Sequence, residues 1–176
     1  MRFGDFINVI DRSGETNDMY IVGRNHLLKR GNFTDMLKDV GSPEGFLDPK
    51  TMNCSNVKMW IGPRGTVTPL HHDKGSVFLA QISGRKQVKL ISPFHLLSLR
   101  NDPATCYSEV LLDEPIDLER YPELHNIPID EGEIGPGDFL FLPVAWWHWV
   151  RSLDASISLT FKNFVYKTHR IAWNYR

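Results

Sequence analysis

Only two cysteines, Cys54 and Cys106, occur among the 176 residues. Two thiols cannot make a disulfide framework, so a packed core must hold the chain, and both read as reduced cysteines of a cytoplasmic protein. Neither sign of charge dominates, since 20 Lys and Arg stand against 21 Asp and Glu for a net charge of −1. That balance excludes the broad electrostatic pull of a nucleic-acid-binding or acidic-membrane-binding protein, so neither partner is expected. No stretch approaches the roughly 20 uninterrupted apolar residues that span a bilayer. The opening stretch MRFGDFINVIDRSGE carries charges through its apolar positions and reads as neither signal peptide nor anchor. A P-loop, a G-x-G-x-x-G after a strand and a G-x-S-x-G elbow are also missing, which removes the phosphate-cradling and serine-hydrolase classes.

What remains is an ordinary globular composition, 41% hydrophobic and 23% charged, in a chain long enough to bury one core. Repeats, low-complexity segments and linkers are absent, so 1–176 is expected to be a single domain, with a flank over 1–50 and a core over 53–167. Phe3, Phe6, Ile7 and Ile10 recur at helical spacing. Met19 to Val22 reads as a short strand. Asn32 is placed to cap a helix with Phe33, Met36, Leu37 and Val40 on its apolar face and Gly41 as its stop. From about Val57 the texture changes to short β-type runs between Gly, Pro and Asp: 57–61, 66–73, 76–83, 86–92, 107–112, 131–134, 138–142, 147–153 and 155–166. Many short strands at this spacing argue for an all-β sandwich or barrel, and two four-stranded sheets forming a jelly roll are the natural closure.

Chemistry enters at Thr68-Pro69-Leu70-His71-His72-Asp73. Strand side chains alternate with period two, so His71 and Asp73 can share a face while His72 points away. A distal histidine, His148 in the tract PGDFLFLPVAWWHWV, would complete a 2-His-1-carboxylate facial triad, a ligand set suited to Fe(II) with three positions left open. Between these tracts stands a lysine on what reads as the wrong side. Phe78, Ala80, Ile82, Gly84, Lys86, Val88 and Leu90 share one parity, and it is the core-facing one. A charge there is costly without a partner, which points to a carboxylate of a bound ligand. A turn at Gly84 that resets the parity, or a lysine that snorkels to the rim, is the plainer alternative. Asn163 poses the same question on the last strand, where it shares a face with Ile157, Leu159, Phe161 and Val165. It either meets a ligand there or bonds to backbone within the core.

The stretch VTPLHHDKGSVFLAQISGRKQVKLISP and the tract ending in WWHWV resemble the JmjC/cupin-like 2-oxoglutarate oxygenases. The likeness is strongest to the asparaginyl hydroxylase branch acting on the hypoxia-inducible factor and to its bacterial relatives, and it covers roughly 53–167. It implies a double-stranded β-helix with short N-terminal helices, Fe(II) held by His71, Asp73 and His148, and 2-oxoglutarate and O2 as co-substrates. It further implies that Lys86 holds the far carboxylate of the keto acid with help from Thr68, and that Asn163 lies beside its metal-bound end. Val77 and Val165 depart from that branch, which carries an asparagine and a tryptophan there.

The resulting expectation is a dioxygenase that hydroxylates an amino-acid side chain in a protein, peptide or small natural-product precursor, with demethylation by the same chemistry less favoured. Trp146, Trp147 and Val165 are expected to wall the substrate pocket, although aromatics serve first as packing groups. The competing readings are a metal cupin that uses no keto acid and a non-catalytic jelly-roll binding module. His26, His95, His125 and His169 have no partner at ligand spacing and read as surface or satisfied residues.

Overall fold

A computed structural model describes residues 1–166 except 42, 101, 103 and 113–115. His169 and the basic cluster around it lie outside the described residues. Helix α1 (Phe3–Arg12) starts where the Asp5 carboxylate accepts from the Arg2 amide at 3.3 Å, and it buries Phe6 and Ile10. The expected helix after Asn32 is instead a run of 3-10 turns over Gly31–Lys38, and Asn32 does not cap it. Leu37 and Val40 still pack inward against the core. Met19 to Val22 forms no strand; only Ile21 bridges to Ile61.

Eight strands follow: β1 (Val57–Gly62), β2 (Val67–His72), β3 (Val77–Ser83), β4 (Lys86–Ile91), β5 (Asp130–Ile134), β6 (Phe139–Leu142), β7 (Trp147–Ser152) and β8 (Ser156–Phe161). They form two four-stranded sheets ordered β1-β8-β3-β6 and β2-β7-β4-β5, every pairing antiparallel. This is the jelly roll expected from the sequence. The proposed strand over 107–112 does not form. Tyr107 makes only a bridge to His71, while Val110 and Leu112 pack under the second sheet. The last strand ends at Phe161 rather than at 166.

Three apolar clusters account for the stability. The largest lies between the outer face of the first sheet and the N-terminal segment, joining Phe6, Ile10 and Leu28 to Phe78, Leu159 and Phe161. A second lies outside the other sheet, where the connection from β4 to β5 covers Trp147, Trp149 and Ile91. The third, between the sheets, is small: Leu79, Val88, Ile134 and Val150, with Leu90 and Leu140 against it. Each sheet is therefore covered on its outside by the chain's own excursions, and much of the space inside the roll is left for a cavity. No helix among the described residues is long and apolar enough to cross a membrane.

Two reversals in chain direction set the inner face. At Gly84 the chain passes from one sheet to the other with φ +71°, and a Cβ there would run into the Ala155 carbonyl. Only glycine accepts both constraints. Buried Gln81 braces the turn, donating to the Ser83 and Gly84 carbonyls and accepting from the Ser158 hydroxyl. The other device is a bulge in β2, where Thr68 pairs with Val150 but His71 pairs with His148. Pro69 inside it has no amide to give the ladder.

Candidate active site

His71 and His148 are direct cross-strand partners on β2 and β7, with ring centroids 4.0 Å apart. The His71 Nδ1 lies 2.9 Å from the Pro69 carbonyl, and the His148 Nδ1 lies 3.1 Å from the Trp146 carbonyl. A carbonyl can only accept, so both Nδ1 atoms carry the hydrogen and both Nε2 lone pairs are free for a metal. Burial lowers the pKa of both imidazoles, keeping them in the neutral form that ligates. Burial pushes the Asp73 carboxyl upward, yet Lys162 and the two imidazoles outweigh it and hold the group below its usual range. One ligand atom from each of His71, Asp73 and His148 lies within 4.8 Å of the others. Two neutral nitrogens and one carboxylate converging this way fit a divalent transition metal, with one face of its coordination sphere left to smaller ligands.

Backbone contacts hold the three in place. The Ala145 amide, in a residue with φ +65°, donates to the Asp73 carbonyl at 3.1 Å. The His72 amide donates to the Cys106 carbonyl, and the Ser108 amide to the Leu70 carbonyl, pinning a loop along β2. Tyr107 on that loop stacks on His71 with centroids 5.0 Å apart. His72 turns its ring onto Trp147, 4.7 Å away, and stays outside the ligand set, as alternation predicts.

His71, Asp73 and His148 open into a cavity of about 1170 Å³, enough for a small co-substrate and an incoming side chain. Lys86 and Thr68 line it as well. Lys86 is 2% exposed and makes no ion pair or hydrogen bond among the described residues, and burial pushes its pKa down to about 8. Its Nζ lies 5.9 Å from the centre of the Tyr20 ring, and the Tyr20 and Thr68 hydroxyls are 3.2 Å apart. Burial raises the Tyr20 phenol to about 12, so it remains a donor at any working pH. An ammonium and two hydroxyls thus line one cavity, a donor set that can hold a carboxylate.

Lys86 reaches the interior by a different route from the one its parity indicated. In β3, Val77 and Leu79 line the cavity while Phe78 and Ala80 pack outward under the N-terminal segment. The turn at Gly84 resets the alternation, and that reset turns Lys86 and Val88 inward. On β8 the face with Leu159 and Phe161 likewise belongs to the outer cluster, while Thr160 and Lys162 line the cavity. Asn163 therefore does not reach the cavity. It is buried against Asp48, donating through Nδ2 to the Asp48 carbonyl at 3.0 Å, as the core reading had it.

The expected substrate walls need a larger correction, because none of Trp146, Trp147 and Val165 lines the cavity. Alternation along β7 turns His148 and Val150 inward, so Trp147 goes outward into the second apolar cluster, where it is fully buried. Trp146 sits in the turn before β7, and Val165 is exposed beyond the end of β8. The aromatic walls are Tyr20, Trp60 and Tyr107 instead. Tyr20 and Lys162 are the site residues that sequence reasoning missed. Tyr20 lies in an irregular segment with no period to betray it, whereas Lys162 continues the polar face of β8 and was legible had that face been taken as the inner one.

A jelly roll with a two-histidine, one-carboxylate centre between its sheets defines a metal-binding cupin. The chain belongs to the cupin-like domain family, whose model matches residues 1–170, and within it to the JmjC type. It is 39% identical over 113 residues to the lysine-specific demethylase 8 of Xenopus tropicalis, covering 60% of this chain and 24% of that protein. To the protein of the same name in Danio rerio it is 40% identical over 121 residues, covering 67% and 28%. JmjC domain-containing protein C of Dictyostelium discoideum is 37% identical over 139 residues, covering 73% and 32%. The matched region is thus only about a quarter to a third of each of these relatives.

Proposed function

We propose that this chain is an Fe(II)- and 2-oxoglutarate-dependent dioxygenase that hydroxylates a C–H bond of an amino-acid side chain. One observation carries the reading: the His71, Asp73 and His148 donors and the Lys86, Thr68 and Tyr20 cradle line the same cavity. A metal cupin without a keto acid has no use for a buried lysine that is unpaired among the described residues, whose desolvation costs on the order of several kcal/mol unless a partner arrives.

His71, Asp73 and His148 would hold the iron, which with 2-oxoglutarate and O2 supplies the oxidising power that protein side chains lack. The chain's own part is binding and orientation. Lys86 and the two hydroxyls would fix the far carboxylate of the keto acid, so its other end is delivered to the metal in one pose. Val77, Leu79 and Leu142 make part of the wall apolar, keeping water from the space between the two anchors. Tyr107, stacked on His71 and 41% exposed, stands where a substrate side chain would enter.

The names of the relatives favour a second use of the same chemistry, hydroxylation of an N-methyl group followed by loss of formaldehyde. Both readings require that purified protein with Fe(II) convert 2-oxoglutarate to succinate and carbon dioxide, at least slowly without substrate. Absence of that conversion, together with no binding of 2-oxoglutarate to the Mn(II)-loaded protein, would refute them both. Formaldehyde release with a turned-over substrate separates demethylation from stable hydroxylation.

A further inference from the structure

The cavity is far more basic than the protein around it. Among the described residues its lining includes Arg24, Lys58, Lys74, Lys86 and Lys162 but a single carboxylate, Asp73, in a chain whose acids and bases are nearly equal in number. Apart from Lys162, these cations make no ion pair among the described residues. Among the described residues, Arg24 and Lys74 are exposed without an ion pair, and Lys58 reaches only the Cys54 carbonyl, at 3.0 Å. Lys162 meets Asp73 at 3.2 Å, and that carboxylate is the one a metal would claim. Lys58 is partly desolvated and repelled by Lys29 and Lys162, so its ammonium is held below its usual range.

Loading the centre does not remove the excess. A divalent ion and Lys86 together balance Asp73 and the two carboxylates of a keto acid, leaving Arg24, Lys58, Lys74 and Lys162 uncompensated along the lining, with Arg24 and Lys74 exposed. Like charges gathered this way repel one another and a cationic substrate, and they attract an anionic one.

We infer that the mouth of this cavity selects an acidic peptide segment, one with Asp or Glu flanking the side chain to be oxidised, and disfavours lysine- and arginine-rich segments. The inference rests on the proposed function, since it names the substrate class of that same site. It turns away from the basic substrates implied by the relatives' name, lysine-specific demethylase. A nucleic acid is the poorer fit. The cations line one cavity, and the rest of the chain carries more acids than bases, so evenly spaced phosphates would meet repulsion beyond it.

The test measures binding to Mn(II)-loaded protein, with 2-oxoglutarate present and air excluded, of two short fluorescent peptides that differ only in carrying four glutamates or four lysines. The glutamate peptide should bind at least about tenfold more tightly. Its advantage should shrink as salt shortens the screening length. Arg24→Glu combined with Lys74→Glu, both at exposed positions, should reverse the preference. Equal affinities, a preference for lysine, no binding of either peptide, or a preference unchanged by the double reversal would each overturn the inference. So would displacement of the peptide by a single-stranded oligonucleotide at lower concentration. Binding of 2-oxoglutarate is read separately in the same samples. Its absence beside intact peptide selectivity would sink the keto-acid reading and leave the acidic mouth preference standing.

Discussion

Lys162 Nζ stands 3.2 Å from Asp73 Oδ1, so the one carboxylate among the three clustered donors is engaged by an ammonium from the residue that follows β8. Both side chains are partly exposed, at 47% and 31%, and screened pairs of this kind contribute only about 0–1 kcal/mol. Lys162→Ala should therefore change thermal stability little. Its affinity for Mn(II) should equal or exceed that of the parent by up to about fivefold, because a competing cation has been removed. Isothermal titration checks this, and a large fall in metal affinity would show that Lys162 supports the site instead of competing for it.

Asp73→Ala removes the anionic ligand altogether. Loss of an outer partner of a metal site costs roughly 10–100-fold in affinity, and loss of a ligand should cost more. In the parent, Mn(II) should raise the unfolding temperature in a concentration-dependent way that a chelator reverses. The variant should show neither effect, and an equal metal-induced shift in both proteins would place the ion elsewhere.

Lys86 supplies a pH dependence whose sign follows from its environment. Burial depresses its pKa to about 8, so the ammonium is present below that pH and is lost as pH rises through it. Affinity for 2-oxoglutarate should be nearly level below about pH 8 and fall about tenfold per unit above it. Lys86→Arg should bind more weakly but lack this upper limb, since guanidinium stays charged. Lys86→Ala should lose on the order of 100-fold, about 3–5 kcal/mol, with little change in metal affinity. Identical slopes in the parent and the arginine variant would assign the titration to another group.

Gly84→Ala tests the sheet-to-sheet crossing. A positive φ combined with backbone contact should cost at least about 2 kcal/mol, read by denaturant unfolding. Gly132→Ala, where an added Cβ meets nothing within 4 Å, should stay within about 0.5 kcal/mol of the parent. Equal effects at the two positions would show that the crossing is not so constrained.

The strand-by-strand texture from Val57 onward and the gathering of His71, Asp73 and His148 were legible in the sequence, because period-two alternation and ligand chemistry are local properties. Which face of a strand is the inside was not. In β3 the face with Phe78 and Ala80, and in β8 the face with Leu159 and Phe161, pack outward beneath the N-terminal segment, while Val77, Leu79 and Thr160 line the cavity. A hydrophobicity count cannot tell an outer core from an inner one when the chain supplies both. Asn163 and Trp147 were misplaced for that reason.

The sequence by itself determined the double sheet and the gathering of His71, Asp73 and His148, since His71 and Asp73 need only one strand and His148 only its pairing partner. The tertiary structure alone decided how Thr68, Lys86, Tyr20 and Lys162 come to share one cavity. Thr68 and His71 differ in parity and meet on one face only through the bulge at Pro69. Lys86 turns inward only because the chain changes sheets at Gly84. Tyr20 arrives from an irregular segment far along the chain to meet Thr68. Bulges, crossings and long-range contacts reset alternation by single residues, and a period read along one strand carries no record of where it is reset.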